Sequence, residues 1–255
     1  MYLIMLAIGL FCGIITGLLS IGGGIILVFS LMLLLPLISG AQFPMQTIAG
    51  LSIMQSVFST ASGGYFYIRS KLVDRKIVMM IGVPAFFGGM IGVLIANSSS
   101  DTLLRIIFTC LAISAAVIMQ VPYKSNENPK PFQFKLSSTT LTIIGSAGIG
   151  VLGGLVGVAA GFIFVPLMIF VYRLPIKQAI GSSLITCFLL AVGSFITKLS
   201  VETVPLGYGT MLIIGGILGA QIGGRITMSL QSITLKRIAA YSILIISIKL
   251  FYDLF

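Results

Sequence analysis

The residues whose types and spacing bear on chemistry close the run Gly13-Ile-Ile-Thr-Gly17-Leu-Leu-Ser20-Ile-Gly22-Gly23-Gly24. A related run opens the second half of the chain, Gly150-Val-Leu-Gly-Gly154-Leu-Val-Gly157-Val-Ala-Ala-Gly161. A glycine costs a helix about 1 kcal/mol relative to alanine, so three in succession predict a break. A helix that restarts after a break presents N–H groups without intrahelical partners and the positive end of its dipole. Glycine lets a tetrahedral oxyanion approach that backbone closely. The chemistry predicted is anion binding at Ser20, Gly22, Gly23, Gly24, Gly157 and Gly161. Ser52, Gln55, Ser183 and Thr186 on the following segments are the candidate side-chain donors, with interhelical hydrogen bonding as their competing role. Gly9, Gly13, Gly17, Gly150 and Gly154 are spaced as in small-residue helix-packing faces. On that reading Gly23→Leu is expected to block the site, and Gly13→Ala to cost much less activity.

The segments around these runs are apolar from Leu3 to Leu35 and from Leu141 to Val171. The chain is 58% hydrophobic and 8% charged, against roughly 25% charged residues in soluble domains. This composition predicts a multi-pass protein of the cell membrane. There is no histidine, and Cys12, Cys110 and Cys187 are scattered, so neither a metal site nor a disulfide framework is implied. The cysteines read as small packing residues, with Cys187 singled out because it follows Ser183 and Thr186. Gly22-Gly23-Gly24 lacks the Lys-Ser/Thr of a phosphate-binding loop. No catalytic constellation is present, and neither enzyme activity nor a cofactor is expected. The N-terminus lacks the basic region of a standard signal peptide.

The net charge of +10 fits basic cytoplasmic loops rather than nucleic-acid binding, and it would also raise the local anion concentration at an entrance. All five acids, Asp74, Asp101, Glu127, Glu202 and Asp253, fall in or beside loops, which leaves no evident carboxylate relay. Arg105, Lys198 and Lys236 lie near segment ends and are expected to snorkel to the interface. The expected partners are a small anionic substrate and the lipid bilayer, with a homodimer left open.

In order, the chain reads as a broken unit stopped by Pro36, then apolar segments at 46–68, 77–96 and 102–120. The hydrophilic stretch Val121–Leu136 follows, and then a second set. A shift of 137 aligns Gly13, Gly17 and Gly24 with Gly150, Gly154 and Gly161. A shift of 131 aligns Gly50-Leu-Ser52 with Gly181-Ser-Ser183, Gly88 with Gly219 and Gly92 with Gly223. The expected organisation is a first transmembrane repeat at 1–120, a cytoplasmic linker at 121–138 and a second repeat at 139–255.

The first unit, about 33 residues, would be near 50 Å as one helix, too long for a hydrocarbon core of roughly 30 Å. A kinked single crossing gives parallel repeats, and a returning hairpin gives inverted ones. With the Arg69–Lys76 loop cytoplasmic, inversion places 12 of the 15 basic residues inside and leaves Arg105, Lys198 and Lys249 outside. The parallel arrangement places nine inside. The bias favours inversion. The fold class is thus an all-α polytopic membrane protein of two homologous four-segment halves, each opening with a glycine-broken helix.

Taken together, Gly17-Leu-Leu-Ser20-Ile-Gly22-Gly23-Gly24, its echo through Gly161-Phe-Ile-Phe-Val-Pro166, Ala49-Gly50-Leu51-Ser52, Ala179-Ile180-Gly181-Ser182-Ser183-Leu184, Gly88-Gly89-Met-Ile-Gly92 and Gly219-Ala-Gln-Ile-Gly223-Gly224 resemble the sulfite exporter TauE/SafE family. The resemblance covers essentially the whole chain. It implies a prokaryotic cytoplasmic-membrane transporter that moves a sulfur-containing anion such as sulfite, thiosulfate or an organosulfonate, usually outward. An anion channel, or a membrane-embedded accessory or enzyme component of sulfur metabolism, is the alternative. Two departures, Phe29 opposite Pro166 and Gly22-Gly23 opposite Ala159-Ala160, predict that the halves contribute unequally.

Overall fold

The unbroken apolar run at the start of the chain forms α1 (Tyr2–Leu19), which ends where Ser20 enters the left-handed region at φ 55°. The computed structural model describes residues 1–20, 23–40, 42–120, 136–201 and 205–230, and all regular structure among them is helical. Gly22, most of the linker and the last segment lie outside the described residues. After the break come α2 (Gly23–Phe29), a π turn (Ser30–Leu34) and α3 (Leu35–Ser39). Pro36 therefore does not stop the unit. It sits in the first turn of α3, which continues the helix straight after the π turn, where the Leu35 N–H reaches back to the Ser30 carbonyl; a π bulge is one of the places where a helix absorbs an interrupted hydrogen-bond ladder.

Next are α4 (Met45–Arg69), α5 (Arg75–Asn97) and α6 (Asp101–Gln120), then α7 (Leu136–Val156), α8 (Gly161–Phe170), α9 (Ile176–Val201) and α10 (Leu206–Ser229). Among the described residues, α1, α5, α9 and α10 are long and apolar enough to cross a membrane. Helix α4 is too polar to stand in lipid and is enclosed instead. Ser52, Gln55, Ser56, Ser59 and Thr60 are all buried. Ser59 and Thr60 return their hydroxyls to the carbonyls of Gln55 and Ser56 at 2.7 and 2.6 Å.

The spaced glycines let helix backbones touch. Gly9, Gly13 and Gly17 of α1 face Leu212, Gly216 and Ala220 of α10, and a Cβ on Gly13 would lie 2.5 Å from the Gly216 carbonyl oxygen. Gly150 and Gly154 of α7 face Ala85 and Gly89 of α5 in the same way. These are equivalent contacts under the two sequence offsets, since Gly13 corresponds to Gly150 and Gly216 to Ala85. Gly88 against Ala147 and Gly219 against Leu10 form a second equivalent pair. Each half thus packs its broken helix on the third long helix of the other half. Small residues are what permit that approach.

The registers also give direction. Contacts advance together along α1 and α10, and along α4 and α10, where Met54 meets Gly209 and Phe66 meets Gly224. Helices α1 and α4 are therefore parallel, and the chain doubles back between them through α2 and α3. Helices α5, α7 and α9 form the corresponding set. Contacts between α4 and α9 run in opposite senses, with Gly63 on Leu184 and Gly181 on Tyr67.

One end of the bundle is basic, carrying Arg69, Lys71, Arg75, Lys76, Arg173, Lys177 and Arg225. The other carries an aromatic cluster in which Tyr208 stacks at 5.4 Å from Tyr2 and 6.0 Å from Phe43. At that end Asp101 accepts the Met45 N–H and so caps α4 from a different helix, while Arg105 holds its second oxygen at 2.6 Å. Lys198 departs from the snorkelling expected of it: it is 4% exposed, and it is engaged by a partner. Its position near the end of α9 falls on an inward face.

Candidate functional site

The two helix breaks meet at the centre of the bundle. Ser20 (φ 55°), Gly157 (φ 74°) and Ala160 (φ 52°) are all left-handed. A non-glycine residue there costs of order 1–3 kcal/mol and persists only where its surroundings enforce it. Gly24 packs on Val158, and Gly161 packs on the Ser20 carbonyl and on Cys187. Between the breaks lies a cavity lined by Thr16, Ser20, Gly23, Gly24, Ser56, Thr60, Val158, Ala159, Ala160, Gly161 and Cys187. Its volume is about 10 Å³, the room of a single water molecule. The described conformation is closed around the breaks.

Helix ends supply the polarity. The first turns of α2 and α8 border the cavity, and the opening N–H groups of a helix have no partner within it. The opposite pole is neutralised elsewhere. The carbonyls of Gly17 and Leu18 at the end of α1 accept the hydroxyls of Tyr67 and Thr227 at 3.0 and 2.9 Å. Those two carbonyls are thereby engaged, and among the described residues no cationic side chain lines the cavity. Thr16 donates to the Cys12 carbonyl at 2.8 Å and Thr60 to that of Ser56.

Of the residues read from the sequence, Ser20, Gly23, Gly24 and Gly161 line the cavity. Ser183 borders it through a bond from Ser20 Oγ to Ser183 Oγ of 3.1 Å, with Cys187 Sγ at 4.0 and 3.9 Å from the two hydroxyls. Gly157 forms the turn before α8 and presses on Ala49. Thr186 is buried and donates to the Ser182 carbonyl at 3.0 Å. Ser52 and Gln55 lie outside the lining, fully buried, with the Ser52 hydroxyl and both Gln55 amide atoms unpartnered among the described residues. The Gln55 amide lies against Gly216 of α10. Thr16, Ser56, Thr60 and Val158 were not singled out in the sequence, and Ala159-Ala160 entered it only as the departure opposite Gly22-Gly23. For Ser56 and Thr60 the signal was the polar run of α4, without a means of choosing its face.

Two larger spaces flank the bundle. One of about 430 Å³ lies beside the π turn and is bordered by Leu31, Pro36, Gln42, Phe43 and Arg105. The other, about 520 Å³, is at the basic end and is bordered by Lys71, Arg75, Val78 and Ile185.

The sulfite exporter TauE/SafE family model matches residues 5–250. The chain is 26% identical to the probable membrane transporter protein YunE of Bacillus subtilis (strain 168), over 99% of this chain and 98% of that one. It is 29% identical to the probable membrane transporter protein YdhB of the same organism, over 88% and 89%. A probable membrane transporter protein of Xylella fastidiosa (strain Temecula1 / ATCC 700964) is 31% identical, over 83% of this chain and 79% of its own. No solved structure matches. Two facing helix breaks inside an apolar helical bundle, and a family match over nearly its whole length, lead to one conclusion: the chain belongs to the sulfite exporter TauE/SafE family and is a multi-pass membrane protein of the transporter kind.

Proposed function

We propose that the protein is a secondary transporter that exports a small sulfur-containing anion across the cytoplasmic membrane, and that its halves are inverted repeats. The carrying observation is the meeting of the two breaks, which directs the starts of α2 and α8 at one buried point. Half-helix ends near the middle of a membrane are where transporters hold charged substrates. Sulfite, thiosulfate and organosulfonates are the substrate classes that the family's name and its resemblance bring to this site.

Inversion is supported by α4 and α9. They occupy equivalent places in the two halves and run antiparallel, which a two-fold axis in the membrane plane produces. The basic end would then be cytoplasmic, by the positive-inside bias. A cavity closed to about 10 Å³ favours alternating access over a standing channel, because an open pore would leave a continuous path.

Purified protein in proteoliposomes, offered sulfite, thiosulfate, sulfate, sulfoacetate and taurine, tests the reading. Saturable flux of at least one sulfur anion, with counterflow, is the expected result. Flux of none of them, or ohmic conduction without counterflow, refutes it.

A further inference from the structure

We infer that the cavity at the basic end of the bundle, between α4, α5 and α9, is a binding site for an anionic phospholipid whose headgroup phosphate is held by Lys71 and Arg75. Such a site stands whatever anion the protein moves.

The space holds about 520 Å³ and is bordered by residues of two chemistries. Lys71 and Arg75 supply charge, and the other five of its seven lining residues are apolar, Ile68, Val78, Met79 and Ile185 among them. Ile68 and Met79 are 47% and 59% exposed, so the space opens on the outer surface of the bundle and not toward the buried breaks. From Met79 the exposed residues Val83 and Phe87 continue along α5, and four-residue spacing keeps them on one face. A free oxyanion would meet two cations beside an apolar wall that offers it nothing. An amphiphile matches both parts, with a phosphate for the cations and acyl chains for the wall and the stripe beyond it. Basic pockets between membrane helices on the cytoplasmic side suit anionic headgroups for this reason.

The cations are positioned but not paired. Lys71 follows the end of α4 in the left-handed region, at φ 56°. Its N–H reaches the Ile68 carbonyl and the Leu72 N–H reaches that of Tyr67, both at 3.0 Å. That double closure of a helix end usually takes glycine at the position of Lys71. A lysine persists there only where its surroundings enforce the backbone. Part of the enforcement comes from α9, where Ser182 Oγ accepts the Asp74 N–H at 2.9 Å. The Asp74 carboxylate is itself committed to capping α5, accepting the N–H groups of Lys76 and Ile77 at 3.0 and 3.1 Å. Among the described residues neither Lys71 nor Arg75 has an ion-pair partner. The apolar wall also joins separate elements, because Ile185 of α9 lies on Gly64 of α4, whose missing side chain gives it room. A lipid seated here bridges the α4–α5 turn and α9, and should stabilise their packing.

The test is phosphatidylglycerol binding to the full chain, delipidated in a neutral detergent, read by native mass spectrometry and by Tm. Wild type should retain phosphatidylglycerol in preference to phosphatidylcholine, and the former should raise its Tm. A basic residue near a membrane surface is worth roughly fivefold in affinity for anionic lipid. Lys71→Gly with Arg75→Gln should therefore weaken binding roughly 25-fold and remove the Tm shift. The Tm of that variant without lipid should be unchanged or higher, since glycine relieves the left-handed backbone and a cation leaves the positive end of α5. Lys76→Gln with Arg225→Gln removes the same charge outside the lining and should keep both readouts. Met79→Gln should weaken binding with both cations intact, and unchanged binding there overturns the acyl path. Equal losses in the two double variants mean diffuse attraction to the basic end and overturn the site. A Tm shift of equal size from glycerol phosphate, a headgroup without chains, identifies a free-oxyanion site and overturns the lipid. A wild type that does not distinguish phosphatidylglycerol from phosphatidylcholine overturns it outright.

Discussion

The Thr16 hydroxyl stands where a Cβ on Gly23 would have to go, on the opposite side of the first break. Thr16 is fixed there by its own bond to the Cys12 carbonyl at 2.8 Å. The break can therefore close only because residue 23 is a glycine.

Replacing Gly23 with Leu should abolish sulfite flux in proteoliposomes, because the side chain would occupy the 10 Å³ cavity and displace Thr16. Gly13→Ala is a packing change, and its cost falls on stability. A methyl there meets backbone, with the Gly216 oxygen at 2.5 Å and its Cα at 2.8 Å. Overpacking of that kind costs about 1–3 kcal/mol. Thermal melts should show Gly13→Ala markedly less stable than wild type, and an unchanged Tm would contradict this packing.

Gly148 gives the complementary case. It is exposed on α7, and a Cβ there meets nothing within 4 Å. Gly148→Ala should stabilise the protein by up to about 1 kcal/mol through helix propensity. The check is an upward shift of Tm in detergent with transport unaltered.

Asp101 should impose an acid sensitivity. Partial burial would raise its carboxyl, but bonds from Arg105 and from the Met45 N–H, with the nearby charge, outweigh that and hold it below the usual carboxylate range. A depressed folded value means that the stabilisation is complete above the unfolded carboxylate range and is lost as pH falls through the folded value. The Arg105 and Asp101 side chains are 38% and 44% exposed, so solvent screening keeps the ion pair's share small. The cap of α4 is the larger part, about 1 kcal/mol. Asp101→Asn should therefore melt below wild type near neutrality, with the gap closing as both are taken to strongly acid pH.

Topology is testable at Ser98 and Ser70, which are exposed at opposite ends of the bundle. In a Cys110→Ser background, Ser98→Cys should react with an impermeant maleimide on intact cells. Ser70→Cys should react only after permeabilisation. The reverse pattern would turn the molecule over in the membrane.

The membrane class and the segment limits were legible in the sequence because each depends on local cost. A run of apolar residues predicted 46–68 where α4 spans Met45–Arg69, and 77–96 where α5 spans Arg75–Asn97. Three glycines predicted the break at Ser20 because helix propensity is a property of neighbours along the chain. Which faces meet was decided only by tertiary structure. Gln55 and Ser56 are adjacent in sequence, yet one lies on Gly216 and the other on the cavity, since one residue turns a helix by about 100°. Thr16 and Cys187 joined the lining because helices far apart in the chain were brought together around the breaks. Ser183 likewise meets Ser20 from far along the chain, while Ser52, its equivalent under the offset, is buried and unpartnered among the described residues. That meeting is set by the pairing of α9 with the end of α1, and no stretch of sequence contains both members of the pair.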